Sequence, residues 1–100
     1  MARPSIKQLE YFVAVAHWGS FRRAAEELQI SQPTITAQVA SIEKKLGVSL
    51  FERGRSGAAL SPAGRRLLPL AQKILEETDG LVVAAGSART GAAMYKLGVK

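Results

Sequence analysis

The chain has 100 residues, 47% of them hydrophobic, and a formal net charge of +6. That length gives room for one domain with an appendage, and that apolar share supports a small core, which excludes generic disorder. The charge favours a polyanion partner, nucleic acid before an anionic membrane, with plain solubility as the alternative. There is no cysteine, which excludes disulfides and thiolate metal sites, and no apolar run nears the roughly 20 residues of a membrane span.

The N-terminal stretch MARPSIKQLEYF alternates charged and apolar residues and lacks the apolar block of a signal peptide. A soluble, cytoplasmic protein is therefore expected. Ile6, Leu9, Phe12, Val13 and Ala16 recur at helical spacing, which predicts a first helix over residues 5–17. Ser5 caps it and Gly19 ends it.

Ser20 stands where the N-cap of a second, short helix belongs, and Phe21, Ala24, Ala25 and Leu28 form its apolar side. Gln29 and Ile30 make the next turn, with Ile30 pointing inward. Ser31 caps a third helix that carries Pro33 in its first turn, where a missing N–H costs nothing. Ile35, Val39, Ile42 and Leu46 fall on one face of that helix. The opposite face carries Pro33, Thr34, Ala37, Ser41 and Lys44. It is small and polar, then basic, as suits a helix laid in a DNA major groove with its apolar stripe turned away. Lys44 and Lys45 complement the helix dipole, and Gly47 stops the helix.

Val48 to Phe51 reads as a short strand and Leu60-Ser61 as a second, with the basic, glycine-containing segment ERGRSGAA between them. That pattern predicts a β-hairpin, the wing of a winged helix. Ser61-Pro62 opens the last helix as N-cap and first residue. Leu67, Ala71, Ile74, Thr78, Leu81 and Ala85 alternate by four and three, and Leu70, Leu75 and Val82 widen the stripe. Pro69 is expected to kink this helix. The stripe outruns what a small body covers, so a second copy of the chain is expected to pair with it. GSARTGAA, residues 86–93, reads as a linker. Residues 94–99 resemble the opening of a strand, and the chain reads as the N-terminal piece of a longer protein.

Three segments, LEYFVAVAHWGSFRRAAEEL, SQPTITAQVASIEKKLGVSLFER and LSPAGRRLL, resemble the N-terminal domain of LysR-type bacterial transcriptional regulators. The resemblance spans residues 5 to 85 and is long and position-specific. Thr36 stands where serine is frequent and Ser61 where threonine is usual, and both keep a hydroxyl. Ala37 departs further, since a longer polar side chain is common there. The resemblance implies a mainly α fold: three helices and a hairpin wing over residues 1–61, then a linker helix over 62–85 that dimerises antiparallel to its mate. Residues 86–100 would be a hinge and the possible start of an effector-binding domain. A small-molecule effector would bind only through that further domain.

The resemblance also assigns base-reading positions. Gln32, Pro33, Thr34 and Thr36 open the third helix, with Ala37 beside them. Glutamine pairs with adenine, threonine offers a methyl to thymine, and a helix N-terminus aims N–H groups at phosphates. The alternative for these residues is capping and solvation. Gln38, one step aside, is open between base, phosphate and solvent. Ser20, Arg22, Arg23 and Ser31 suit phosphate contacts, which set register without reading sequence, although the two arginines also suit a merely solvated face. Arg53, which the resemblance supports, and Arg55, from charge alone, suit a minor groove narrowed by A·T sequence. The pairing residues expected between two copies are Leu67, Ala71, Ile74, Leu75, Thr78, Leu81, Val82 and Ala85.

The remaining chemistry is sparse. His17 has no cysteine and few acids near it, a poor basis for a metal site. With one histidine and no cysteine, Ser-His-Asp and Cys-His catalysis is nearly excluded, and the acids form no recognisable acid–base pair. RSGAALSPAGR lacks the spacing of a phosphate loop. No cofactor and no metal are expected. The rival reading is a protein-interaction module, which would show aromatic or leucine anchors on the third helix. Another winged-helix repressor family is a nearer rival, against which the SQP segment and the linker helix argue.

Overall fold

The computed structural model describes residues 2–52 and 57–95, with side chains as far as Arg89. Helix α1 spans Ile6–Trp18, α2 Phe21–Leu28 and α3 Gln32–Leu46. A two-stranded antiparallel hairpin, β1 Phe51–Glu52 and β2 Ala59–Leu60, follows, with Phe51 opposite Leu60. Helix α4 then runs Pro62–Tyr95.

Each helix starts where a serine hydroxyl can replace a missing carbonyl. Ser5 Oγ accepts from Gln8 N, and Gln8 Oε1 accepts from Ser5 N, a reciprocal capping box. Ser20 Oγ accepts from Arg23 N and Ser31 Oγ from Thr34 N. Gly19 and Gly47 end α1 and α3 with φ of 66° and 73°, a left-handed conformation that glycine adopts without strain. Gln29 ends α2 in the same region, at φ 59°, and Ile30 N–H then returns to Ala25 O at 3.0 Å.

Leu9, Phe12 and Val15 of α1 meet Ala24 and Ala25 of α2 and Ile35, Val39 and Ile42 of α3. Leu50 and Phe51 close the core from the hairpin. The Phe51 ring takes Phe12 and Phe21 edge-on, with centroids at 5.7 and 5.5 Å. Leu46 departs from its expected place. It is 40% exposed, because it sits in the last turn of α3 and borders an open apolar groove of about 470 Å³ with Ile6, Leu70 and Ile74.

The hairpin begins three residues later than the sequence predicts. Val48 N–H is taken by Glu43 O and Leu50 N–H by the Glu43 carboxylate. The backbone N–H groups of Val48 and Leu50 are therefore held by the end of α3, and pairing starts at Phe51. Ser61 leaves the second strand for the same kind of reason. It is buried, its hydroxyl donates to Ser49 O, and the same hydroxyl accepts from Gly64 N at 2.9 Å as the cap of α4. Ser61→Ala strands two backbone groups and is expected to cost about 2 kcal/mol, a fall in Tm of about 10 °C. Ser61→Thr keeps the hydroxyl and should cost far less; equal losses in thermal melts would contradict this account.

The longest element differs most from expectation. Residues 86–93, read as a linker, are helical, and so are Met94 and Tyr95. Extending an existing helix adds a hydrogen bond per residue without a new nucleus. Alanine, arginine and methionine favour that extension more than Gly86 and Gly91 oppose it. The remainder of the expected strand, residues 96–99, lies outside the described residues. Pro69 stands inside α4 on an exposed turn, where water can satisfy the carbonyl its ring leaves unpaired. No helix of the described residues is long and apolar enough to cross a membrane.

Candidate nucleic-acid interface

Helix α3 presents its outer face on a base of core contacts. Ile35, Val39 and Ile42 are fully buried beneath it. Gln32, Pro33, Thr34, Ala37, Ala40 and Lys44 are exposed above, and Thr36 is half-buried. Gln32, Pro33, Thr36, Ala37 and Ala40 line an open depression on that face. The Ser31 and Thr34 hydroxyls share a hydrogen bond of 2.7 Å at the helix start. The structure thus brings together the base-reading candidates Gln32, Pro33, Thr34, Thr36 and Ala37. Their side chains are small, polar or short and apolar, with none of the bulk of a protein-docking anchor.

Gln38 is placed differently. It is half-buried, and its Oε1 accepts from Gln8 Nε2 at 3.0 Å. Ser41 Oγ accepts from the same nitrogen at 3.1 Å, and Lys45 Nζ donates to Gln8 Oε1 at 2.9 Å. Gln8 has no role in the sequence reading. Its wider role depends on α3 crossing α1, which local sequence does not encode.

Ser20, Arg22 and Arg23 lie together at the start of α2. Arg22 Nη1 meets Glu26 at 2.9 Å, and Arg23 Nε meets Glu27 at 3.5 Å. The Arg23 guanidinium also lies over the Trp18 ring at 4.5 Å. Both ion pairs are exposed and worth little in water, so a phosphate can replace either carboxylate at small cost. Arg53 and Arg55 lie outside the described residues. The base of their wing is anchored, because Ala58 N–H donates to Gly19 O at 2.8 Å and ties the returning strand to the α1–α2 turn.

The pairing stripe of α4 divides in two. Leu67, Ala71 and Leu75, expected to meet a second copy, pack against the chain's own core, since α4 leaves the hairpin along α1. Ile74, Leu81, Val82 and Ala85 are exposed, Leu81 by 70%, and Thr78 is half-buried with its hydroxyl bonded to Ile74 O. Among the described residues no group of three or more metal-ligating side chains exists.

Residues 6–65 match the family model of bacterial regulatory helix-turn-helix proteins, lysR family. The chain belongs to the LysR family. The HTH-type transcriptional regulator ClcR of Pseudomonas putida is 44% identical over 85 residues, which cover 85% of this LysR-family chain and 29% of ClcR. TfdS of Cupriavidus pinatubonensis is 49% identical over 70 residues, 70% of this chain and 24% of TfdS. The chain thus spans under a third of the length of these relatives. The solved complex of the BenM DBD with catB site 1 DNA superposes with a TM-score of 0.84 at 34% identity, covering 87% of this chain and 97% of that one. The CbnR DBD–DNA complex gives 0.72 at 40% identity, with 91% and 99% covered. The winged helix-turn-helix architecture is therefore that of the LysR family.

Proposed function

We propose that this chain is the reading head of a transcriptional regulator and binds double-stranded DNA in a sequence-specific way as a homodimer. The observation that carries the proposal is the outer face of α3, a capped helix start with a shallow surface of small side chains held over a fully buried stripe. Similarity to two DNA-bound domains over nearly their whole length supports it.

Residues 1–61 form the reading unit. Gln32, Pro33, Thr34, Thr36 and Ala37 enter the major groove. Ser20, Arg22, Arg23 and Ser31 hold phosphates, and Arg53 and Arg55 reach the flanking minor groove. Within residues 62–85, the exposed Ile74, Thr78, Leu81, Val82 and Ala85 pair with a second copy, while Leu67, Ala71 and Leu75 fix α4 to its own body. Two-fold pairing calls for an operator with inverted half-sites. The role needs no catalysis, cofactor or metal, and it places the protein in the bacterial cytoplasm. An effector would act through a further domain.

Selection of random duplexes by the 100-residue chain at two salt concentrations, read by anisotropy and sequencing, tests the proposal. An inverted repeat enriched at both salts is expected, with log affinity falling linearly against log salt as phosphate contacts release counterions. Binding that vanishes with salt and enriches nothing would leave only a basic surface and favour a protein-interaction module. On the enriched site, Gln32→Ala and Thr36→Ala should each lower discrimination against a scrambled duplex by about 1–3 kcal/mol. Equal loss on both duplexes would contradict direct base reading.

A further inference from the structure

Gln8 is one of two buried polar side chains among the described residues, the other being Ser61. Its orientation is forced. The Ser5 backbone N–H and the Lys45 ammonium are donors only, and both point at one end of its amide, at 3.0 and 2.9 Å. That end must be the oxygen, so the other end is the NH2 group. The NH2 group then needs acceptors, and it meets Gln38 and Ser41 of α3. Ser41 has a hydroxyl that accepts. Gln38 must turn its carbonyl oxygen inward, and its own NH2 is left without a partner among the described residues.

We propose that Gln8 is a specificity-positioning residue: by holding the carbonyl oxygen of Gln38 inward, toward α1, it leaves the Gln38 NH2 as the end of the amide offered outward on the reading helix. A free glutamine pairs with adenine, because it meets N7 with its NH2 and the N6 amino group with its oxygen. Gln38 held by Gln8 has only the first half of that pair. It gains most from guanine, whose N7 and O6 are both acceptors, and the adenine amino group finds nothing to donate to. The base preference of a residue on α3 is thus set from α1, by a residue that touches no DNA. This inference rests on the reading of α3 as a DNA-reading helix.

Random-duplex selection tests it with wild type, Gln38→Ala, Gln8→Leu and Gln38→Glu. Gln38→Ala marks the base pair that Gln38 faces, and wild type should favour guanine there. Gln8→Leu releases the oxygen, so the guanine-to-adenine ratio at that pair should fall about fivefold or more. A Gln8 that serves stability alone would lower affinity for all duplexes alike and leave the ratio unmoved. Gln38→Glu keeps an acceptor toward Gln8 and removes the donor, so the guanine preference should disappear. That variant decides the matter if far-ultraviolet circular dichroism shows Gln8→Leu unfolded. An unmoved ratio in folded Gln8→Leu, guanine retained by Gln38→Glu, or no position altered by Gln38→Ala overturns this inference alone. A wild type that enriches no motif overturns the DNA-reading proposal, and this inference with it.

Discussion

Gly64→Ala is expected to destabilise the domain by about 3 kcal/mol and to lower its Tm by about 15 °C. Gly64 lies in the first turn of α4, and a Cβ there would collide with the backbone carbonyl oxygen of Leu50. The Leu60 side chain stands only 3.0 Å from the same point. The Leu60 side chain can turn aside, but the Leu50 carbonyl cannot yield cheaply. Leu50 O is bonded to Ser61 N–H, and Leu50 N–H to the Glu43 carboxylate. The strain therefore passes into the hairpin and the end of α3 together. Gly80→Ala is the control: its Cβ would meet open space, and alanine in mid-helix should stabilise by up to about 1 kcal/mol. Thermal and urea unfolding of the two variants measures both signs. A Gly64→Ala protein within about 1 kcal/mol of wild type would contradict the close packing of α4 on Leu50.

Leu81→Asp is expected to separate two copies. Leu81 is 70% exposed in the single chain, so a carboxylate there leaves the body's own core untouched. Between two copies the same carboxylate would lose water against the apolar stripe, at a cost of about 3 kcal/mol or more. That is about a hundredfold in dimer affinity. Sedimentation should show the mass halved at concentrations where wild type pairs, and affinity for an inverted repeat should fall with it. Leu75→Asp should act otherwise, by lowering Tm, because Leu75 packs on the body. An unchanged mass for Leu81→Asp would refute the placing of the interface.

These two leucines show where sequence periodicity stops being informative. A heptad-like stripe records which residues are apolar and on one side. It does not record whose surface they meet, and here the first half meets the body while the second is exposed. The helix boundaries of the body were legible because their causes are local: Ser5, Ser20 and Ser31 each bond a nearby backbone N–H, and Gly19 and Gly47 need nothing beyond their own φ. The hairpin limits were not, because Glu43 and Ser61 reach across several residues to take backbone groups a strand would have used. The extension of α4 through residues 86–95 was missed because two glycines weighed more in a local reading than the helix already running into them. The outer face of α3 was visible in its composition. The inward turn of Gln38 was not, since Gln8 lies 30 residues away in sequence.

Helix α4 is also a dial. Leu67, Ala71 and Leu75 fasten it to one body, and in the pairing proposed above the exposed residues from Ile74 to Ala85 meet the mate. Each residue advances the helix by about 100° and 1.5 Å. In that pairing, one residue inserted in 76–80 would turn the Leu81–Ala85 surface by about a quarter-turn relative to the reading helix of the same copy, with every DNA-contact candidate still present. Seven inserted residues would restore the phase and lengthen the arm by about 10 Å. If two copies pair as proposed, the half-site spacing of the operator is counted out in the length of α4 between Leu75 and Leu81, whose residues need not meet DNA.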